Sequence, residues 1–250
     1  MQRGIAQLAH PGTHVAAWIR ALLLHLPTSQ ATVRRDFALA MNIAFFDFDG
    51  TITAADSFLP FIRLAANRQR VVAGTLCLSP MIAGYRLGWV PATRMRASVA
   101  WFAFRGRRQS ELSALGERYA LQVSAARLRA VANERIAWHQ AQGDTVVVVS
   151  ASLDCYLAPW CRARGLGLIC TELETRAGVC TGRYRNGDCS GPEKARRILE
   201  RWQLSRYGQV FAYGDTSEDS AMLGLAHRRY LRWQELPPGP TGPLASAQAT

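Results

Sequence analysis

Four short stretches of this 250-residue chain carry side chains whose types and spacing could do chemistry together. In Asp47-Phe48-Asp49-Gly50-Thr51, two carboxylates flank a single residue where a glycine lets the chain turn tightly. Carboxylates that close repel unless a cation or a shared proton compensates. A second acidic pair, Asp215 and Asp219, stands in Gly214-Asp215-Thr216-Ser217-Glu218-Asp219. An oxygen-rich cluster with few carboxylates suits magnesium, which keeps several waters and takes its other ligands from a phosphate. The same hexapeptide also reads as a helix N-cap. Ser150, in Ser150-Ala151-Ser152, offers a hydroxyl and following backbone N–H groups that can grip an anion; helix capping is the plain alternative for either serine. Lys194, after Gly191-Pro192-Glu193, is the one lysine among 30 basic residues. At the start of a helix it is either a surface residue or the mark of a site where a compact ammonium fits and a forked guanidinium does not.

Each stretch follows an apolar run that reads as a buried strand. Ile43 to Phe46 leads into the first acidic pair, Thr145 to Val149 into Ser150, and Gln209 to Tyr213 into Gly214-Asp215; Leu168 to Thr171 reads as a fourth strand. Continuous apolar strands separated by helical stretches imply an α/β protein, a doubly wound, mainly parallel Rossmann-like sheet covered on both faces. Ligands bind beyond the carboxyl ends of strands in such sheets, where these polar residues fall. Residues 57–125 interrupt the alternation and read as an inserted helical cap, with turns expected near Pro80 and Pro91 and apolar residues at helical spacing through Leu112, Leu115, Tyr119 and Val123. Gly178 to Gly187 reads as a β-hairpin, with turn signals at Arg176-Ala177-Gly178 and Arg185-Asn186-Gly187. The domain reading is a dispensable extension over 1–40, a core of 41–56 and 126–233, a cap over 57–125, and a flexible tail over 234–250 rich in Pro, Gly and Ala.

Composition bounds the class. With 49% apolar and 19% charged residues the chain is globular and can bury a core, and no uninterrupted run of about 18 to 20 apolar residues suggests a spanning helix. The formal charge is +12, and residues 57–125 supply most of it, with ten arginines against Glu111 and Glu117. Such a block favours anionic partners such as phosphoesters, acidic lipid surfaces or nucleic acid, or is simply a solvated face. Six cysteines without paired C-x-x-C spacing read as reduced thiols in a cytoplasmic protein, not as a zinc site.

In order along the chain, these stretches resemble the motifs of the haloacid dehalogenase-like phosphohydrolases. The D-x-D-G-T motif of that family matches Asp47 to Thr51, its strand-terminal serine Ser150, its lysine Lys194, and its closing G-D-x-x-x-D Gly214-Asp215 with Asp219. The helical insertion after the first motif is that of the phosphoserine-phosphatase-like branch. Within it, Asp56-Ser57-Phe58, Tyr85-Arg86-Leu87-Gly88, Trp138-His139 and Ser150-Ala151-Ser152-Leu153-Asp154 resemble the group that includes bacterial phosphatidylglycerophosphatase C. Two positions depart from phosphoserine phosphatase itself: Ser152 stands for a glycine and Glu218 for an asparagine.

The resemblance implies a magnesium-dependent phosphatase. Asp47 would be the nucleophile, forming an aspartyl-phosphate, and Asp49 the general acid and base. Asp47, the Asp49 carbonyl and Asp215 would hold Mg2+, with Asp219 in support. Ser150, Lys194 and the Ala151 N–H would bind the phosphoryl oxygens, and Asp56 would help read the substrate. That substrate would be a phosphomonoester, either a lipid phosphate such as phosphatidylglycerophosphate or a small metabolite phosphate such as phosphoserine. Arginines among the cap's apolar runs fit peripheral contact with an anionic membrane, at the inner face for a cytoplasmic protein. A phosphotransferase of the same family is the alternative within the enzyme class. A basic nucleic-acid-binding module with an inert phosphate site is the alternative outside it; no nucleic acid is expected, because Phe58, Trp89 and Trp101 lie in apolar contexts that suit packing over base stacking. The oligomeric state is not legible.

Overall fold

The computed structural model describes residues 41–237. The expected extension over 1–40 and all but the start of the expected tail lie outside them.

Strand β1 (Ile43–Phe46) is followed by a five-residue turn, Phe48–Ile52, and four helices: α1 (Phe58–Ala65), α2 (Arg68–Arg86), α3 (Ala92–Phe104) and α4 (Gln109–Ala126). Helix α5 (Ala130–Ala141) leads to β2 (Thr145–Leu153), α6 (Asp154–Arg162) and β3 (Gly167–Thr171). A two-stranded sheet, β4 (Leu173–Arg176) and β5 (Val179–Tyr184), precedes α7 (Pro192–Arg201), β6 (Val210–Gly214), α8 (Ser220–Gly224), β7 (Arg228–Leu231) and β8 (Gln234–Glu235).

The main sheet runs β3-β2-β1-β6-β7-β8, parallel except for β8 at its edge. Alternation along its strands divides the core between two faces. Ala44, Phe46, Val146, Val148, Phe211 and Tyr213 pack on the side of α4, α5 and α6; Ile43, Phe45, Val147, Val149, Val210 and Ala212 pack with Ile198 of α7 and Met222 of α8. The chain winds from β1 through β2 to β3 and then crosses to β6 on the other side of β1. The strand order therefore reverses beside β1, and the crevice at the carboxyl ends of β1 and β6 is the switch point where such sheets bind ligands.

Three expectations need correcting. Pro80 lies inside α2 and makes no turn; the Leu76 carbonyl, which would have accepted from a residue-80 N–H, accepts from the Ser79 hydroxyl at 2.8 Å instead. The hairpin turns at Ala177-Gly178, both at positive φ, so its first strand precedes Gly178 and the span 178–187 holds only its second. Helix α6 starts at Asp154, after β2 has run on through Ser150 to Leu153, where an irregularity in its pairing with β3 adds length to the strand.

Candidate active site

Asp47, Lys194, Asp215 and Asp219 lie together beyond the carboxyl ends of β1 and β6. Asp47 follows β1, and its N–H donates to the Tyr213 carbonyl of β6 at 2.9 Å, placing its carboxylate at the switch point. Asp215 follows β6 directly. Gly50, at φ +85°, has no side chain because the space is taken: a Cβ there would lie 2.1 Å from Asp215 Oδ2. Gly214 is excluded from bearing one in the same way, by Asp219. The two acidic motifs thus press against each other through glycines.

Lys194, in the first turn of α7, is 2% exposed and its Nζ donates to Asp47 Oδ1 at 2.5 Å and to Asp219 Oδ1 at 2.6 Å. The other Asp219 oxygen accepts the Asp215 N–H at 3.0 Å and the Thr216 N–H at 3.2 Å, so this buried carboxylate orients both the lysine and the loop that carries Asp215. Carboxylate oxygens of Asp47, Asp215 and Asp219 lie within 4.8 Å of one another. Burial pushes the Asp47 carboxyl up, to about 7, against the pull of the Lys194 ammonium. The two carboxylates hold the ammonium charged, above its ordinary range, despite burial. Asp215 is also raised, by burial and by Asp219. Carboxylates raised by burial and mutual repulsion, all-oxygen donors and a glycine-made cradle fit a hard divalent cation such as magnesium.

Asp49 is held from two sides. Its Oδ1 accepts the Ser57 N–H at 2.7 Å, and its Oδ2 accepts the Ser152 hydroxyl at 2.5 Å. Burial raises its carboxyl to about 6 against those two hydrogen bonds. Ser57 is itself fixed, with its Oγ 3.0 Å from Tyr156 Oη and its carbonyl accepting from Tyr119 Oη at 2.9 Å. Ser152 is therefore not the N-cap of α6: the extended end of β2 turns its hydroxyl to Asp49, while its N–H donates to Ser150 Oγ at 3.1 Å. The Thr51 hydroxyl is buried and meets no hydrogen-bond partner among the described residues. Thr51 lies two residues after Asp49 in the same turn, and an unanswered buried donor calls for a partner.

Asp56 is placed differently. It is exposed, and its carboxylate accepts the Phe58 and Leu59 N–H groups at 3.2 and 3.0 Å, capping the start of α1. The chain enters and leaves the helical insertion side by side there, since Thr53 pairs with Leu128 and the Ala54 N–H donates to the Arg127 carbonyl.

Sequence reasoning missed the support given to Asp49 by the Ser57 N–H and to Ser57 by Tyr119 and Tyr156, because contacts between segments so far apart in the chain leave no local pattern. It also missed Arg96 of α3, which forms a bidentate pair with Asp188 at 2.8 and 3.0 Å and reaches Glu218 at 3.2 Å. Glu218, the departure at the last motif, is thereby tied to the helical insertion, and a lone arginine in an arginine-rich segment gave no signal of it.

The fold and the cluster define a class. Residues 44–224 match the haloacid dehalogenase-like hydrolases, and the chain belongs to that family. Protein CicA of Caulobacter vibrioides (strain NA1000 / CB15N) is 35% identical over 194 residues, covering 75% of this chain and 84% of CicA. A solved structure of a protein of unknown function from Bordetella pertussis Tohama I superimposes with a TM-score of 0.64 at 22% identity, over 77% of this chain and 90% of that one. A probable phosphoserine phosphatase from Vibrio cholerae, unliganded, does so with 0.58 at 16%, over 80% and 64%. The phospho-aspartyl intermediate analogue of a phosphoserine phosphatase gives 0.55 at 17%, over 77% and 86%. At such identities the likeness is one of fold, which this chain shares with phosphoserine phosphatases.

Proposed function

We propose that the protein is a magnesium-dependent phosphomonoester hydrolase working through an aspartyl-phosphate. The observation that carries this reading is the buried bridge of Lys194 between Asp47 and Asp219, at the end of the strand where Asp49 stands ready with a raised carboxyl.

Asp47 attacks phosphorus, so that an Asp47 Oδ–P bond forms as the bond to the alcohol oxygen breaks. The Asp49 carboxyl gives its proton to the departing alkoxide. As a carboxylate it then takes a proton from the water that attacks phosphorus, breaking the bond to Asp47 and releasing inorganic phosphate. Lys194, the Ser150 hydroxyl, the Ala151 N–H and the orphaned Thr51 hydroxyl balance charge on the phosphoryl oxygens. Asp47, the Asp49 carbonyl and Asp215 are the groups to hold magnesium, with Asp219 fixing the Asp215 loop. A bound magnesium ion would neutralise phosphoryl charge and orient the group for in-line attack. The helical insertion acts as a cap that keeps bulk water out, and Asp56 stays at its hinge.

The substrate is a lipid phosphate or a small metabolite phosphate, and the insertion favours the first. From Ser57 to Ser110 nine arginines occur with no acidic residue, while Leu64, Val72, Leu76, Leu87 and Trp89 are exposed. No helix among the described residues is long and apolar enough to cross a membrane, so contact with an anionic membrane would be peripheral. Six free cysteines suit a cytoplasmic setting. The test is a phosphate-release panel of lipid, sugar, nucleotide and amino-acid phosphomonoesters. Turnover should need magnesium, disappear on chelation and return on readdition. No release from any of them, with magnesium present, would reject the reading.

A further inference from the structure

Two segments that meet inside the candidate active site are joined a second time outside it. Inside, Lys194 at the start of α7 donates to Asp219 Oδ1 at 2.6 Å. Outside, Arg96 of α3 takes hold of Asp188, six residues before Lys194, and of Glu218, the residue before Asp219. Its Nε and Nη2 donate to the two Asp188 oxygens at 2.8 and 3.0 Å, fork to fork, and Nη2 lies 3.2 Å from Glu218 Oε2. One guanidinium from the helical insertion therefore spans the segment that leads into Lys194 and the loop that carries Asp215 and Asp219. Among the described residues, no other side chain of the insertion hydrogen-bonds to either segment.

The two arms of the clamp differ. The Asp188 side chain is only 7% exposed, and the N–H of the next residue, Cys189, donates to Thr171 Oγ1 at the end of β3 at 2.9 Å, so this arm is anchored in the core. The Glu218 side chain is 39% exposed and its contacts run from 3.2 to 3.4 Å, so this arm is the weaker. It acts on a sensitive place. The position of Glu218 sets that of Asp219, whose two oxygens hold Lys194 on one side and the Asp215 and Thr216 N–H groups on the other. Helix α3 itself does not depend on Arg96. Its Ala100, Ala103 and Phe104 are buried, and just beyond its end the Gly106 N–H donates to the Cys180 carbonyl at 2.8 Å while the Cys180 N–H donates to the Arg107 carbonyl at 2.8 Å. The insertion is thus a fixed platform from which one arginine reaches down.

We propose that Arg96 is a positioning residue, through which the helical insertion sets the spacing of the Lys194 segment and the Asp215–Asp219 loop, so that the site is complete only with α3 docked above it. The inference rests on the phosphatase reading for its kinetic test and is tested apart from that reading by exchange of backbone protons. Arg96 acts through Asp188 and Glu218 and needs no contact with the substrate.

Arg96→Ala should lower kcat on an aryl phosphate by roughly tenfold or more while KM moves by less than about threefold. Arg96→Lys should recover little of the loss, because an ammonium has no fork for Asp188 and cannot span both carboxylates. Guanidinium chloride at low millimolar concentration should return most of the lost rate to Arg96→Ala, and sodium chloride at equal ionic strength should not. Adding Glu218→Gln to Arg96→Ala should abolish that rescue. Hydrogen–deuterium exchange read by mass spectrometry makes the same test without turnover: in Arg96→Ala it should quicken in peptides over 188–194 and 214–219 and stay at the wild-type level in β1 and β2. A wild type that hydrolyses nothing, with this exchange pattern present, would reject the phosphatase reading and keep the clamp. Wild-type kcat and exchange in Arg96→Ala would overturn the proposal. So would faster exchange across the whole chain without rescue by guanidinium, which marks a merely structural residue, and so would a raised KM at unchanged kcat, which places Arg96 on the substrate.

Discussion

At the ends of β1 and β6, charged groups answer one another: Lys194 spans Asp47 and Asp219, Asp219 holds the loop of Asp215, and Ser57 and Ser152 share Asp49 between them. The helical insertion is less evenly paired: Arg96 meets Asp188 and Glu218, and Arg107 meets Glu111, but other groups are left without such partners. Arg63 and Arg86 find no carboxylate among the described residues, and large apolar side chains such as Leu76 and Trp89 stay exposed. A region whose charged groups are mutually paired is organised for a fixed geometry, as phosphoryl transfer needs. One with unanswered charge beside exposed apolar surface is organised for something outside itself. On the proposed reading, chemistry and choice of substrate occupy different parts of the chain, and variants in the two should fail in different ways.

The largest effect should come from the nucleophile. Asp47→Asn keeps the side-chain volume and should lower kcat by roughly three orders of magnitude or more with the fold intact by circular dichroism. Activity above about a tenth of wild type would remove Asp47 from that role. Lys194→Arg keeps the charge but puts a planar fork where two carboxylates close on a point, and should cost roughly a hundredfold in kcat. Wild-type kinetics would mean that the bridge tolerates either cation.

Ser152→Ala removes one of the two groups that hold the Asp49 carboxylate and should cost roughly tenfold, more with alkyl than with aryl leaving groups. Equal losses on both would detach Ser152 from proton transfer to the leaving group. Substitutions of Arg63 and Arg86, by contrast, should move KM for lipid phosphates and spare aryl phosphates. If they lowered kcat on every substrate alike, the division between the two regions would fail.

The smallest effect concerns the support beneath the site. His139 Nδ1 lies 2.7 Å from Asp144 and its Nε2 3.0 Å from Tyr213 Oη, all three side chains buried. Burial holds the imidazole below its ordinary range, with Asp144 pulling the other way. A folded-state value below the unfolded one means that the unfolded chain takes up the proton first as pH falls, so stability supplied by neutral His139 is present above the unfolded value and is lost below it. The unfolding free energy of wild type should therefore exceed that of His139→Gln at pH 7.5, and the gap should narrow towards pH 5.5 in parallel urea titrations. A constant gap would show that His139 keeps its charge state through the transition.

Much of the catalytic end could be read from sequence because its chemistry is local. Asp47 and Asp49 are two residues apart, Asp215 and Asp219 four, and each pair follows a strand whose apolar run announces it. The order of the strands in the sheet, with β1 between β2 and β6, was not legible, since β1 pairs with residues far away in the chain, Phe46 with Val148 on one side and with Tyr213 on the other. What reading the chain could not supply was mostly three-dimensional in origin. Ser79 rescues the carbonyl that Pro80 strands, so a helix passes where a turn was expected. Ser152 faces Asp49 only because β2 runs on past Ser150. Arg96 finds Asp188 and Glu218 only where α3 meets two separate loops, and taken singly it is one arginine in a basic segment.

On the proposed mechanism the phosphoryl group passes through Asp47. Asp49→Asn removes the proposed base, but an aryl phosphate, whose leaving group needs no proton, should still load the enzyme. Acid quenching of that variant with an aryl phosphate and magnesium, followed by peptide mass spectrometry, reads the claim directly. A burst of the aryl alcohol matched by a phosphoryl group on the peptide at Asp47 is the predicted result. A burst with the phosphoryl group on another residue, or with none bound to the protein, would contradict it.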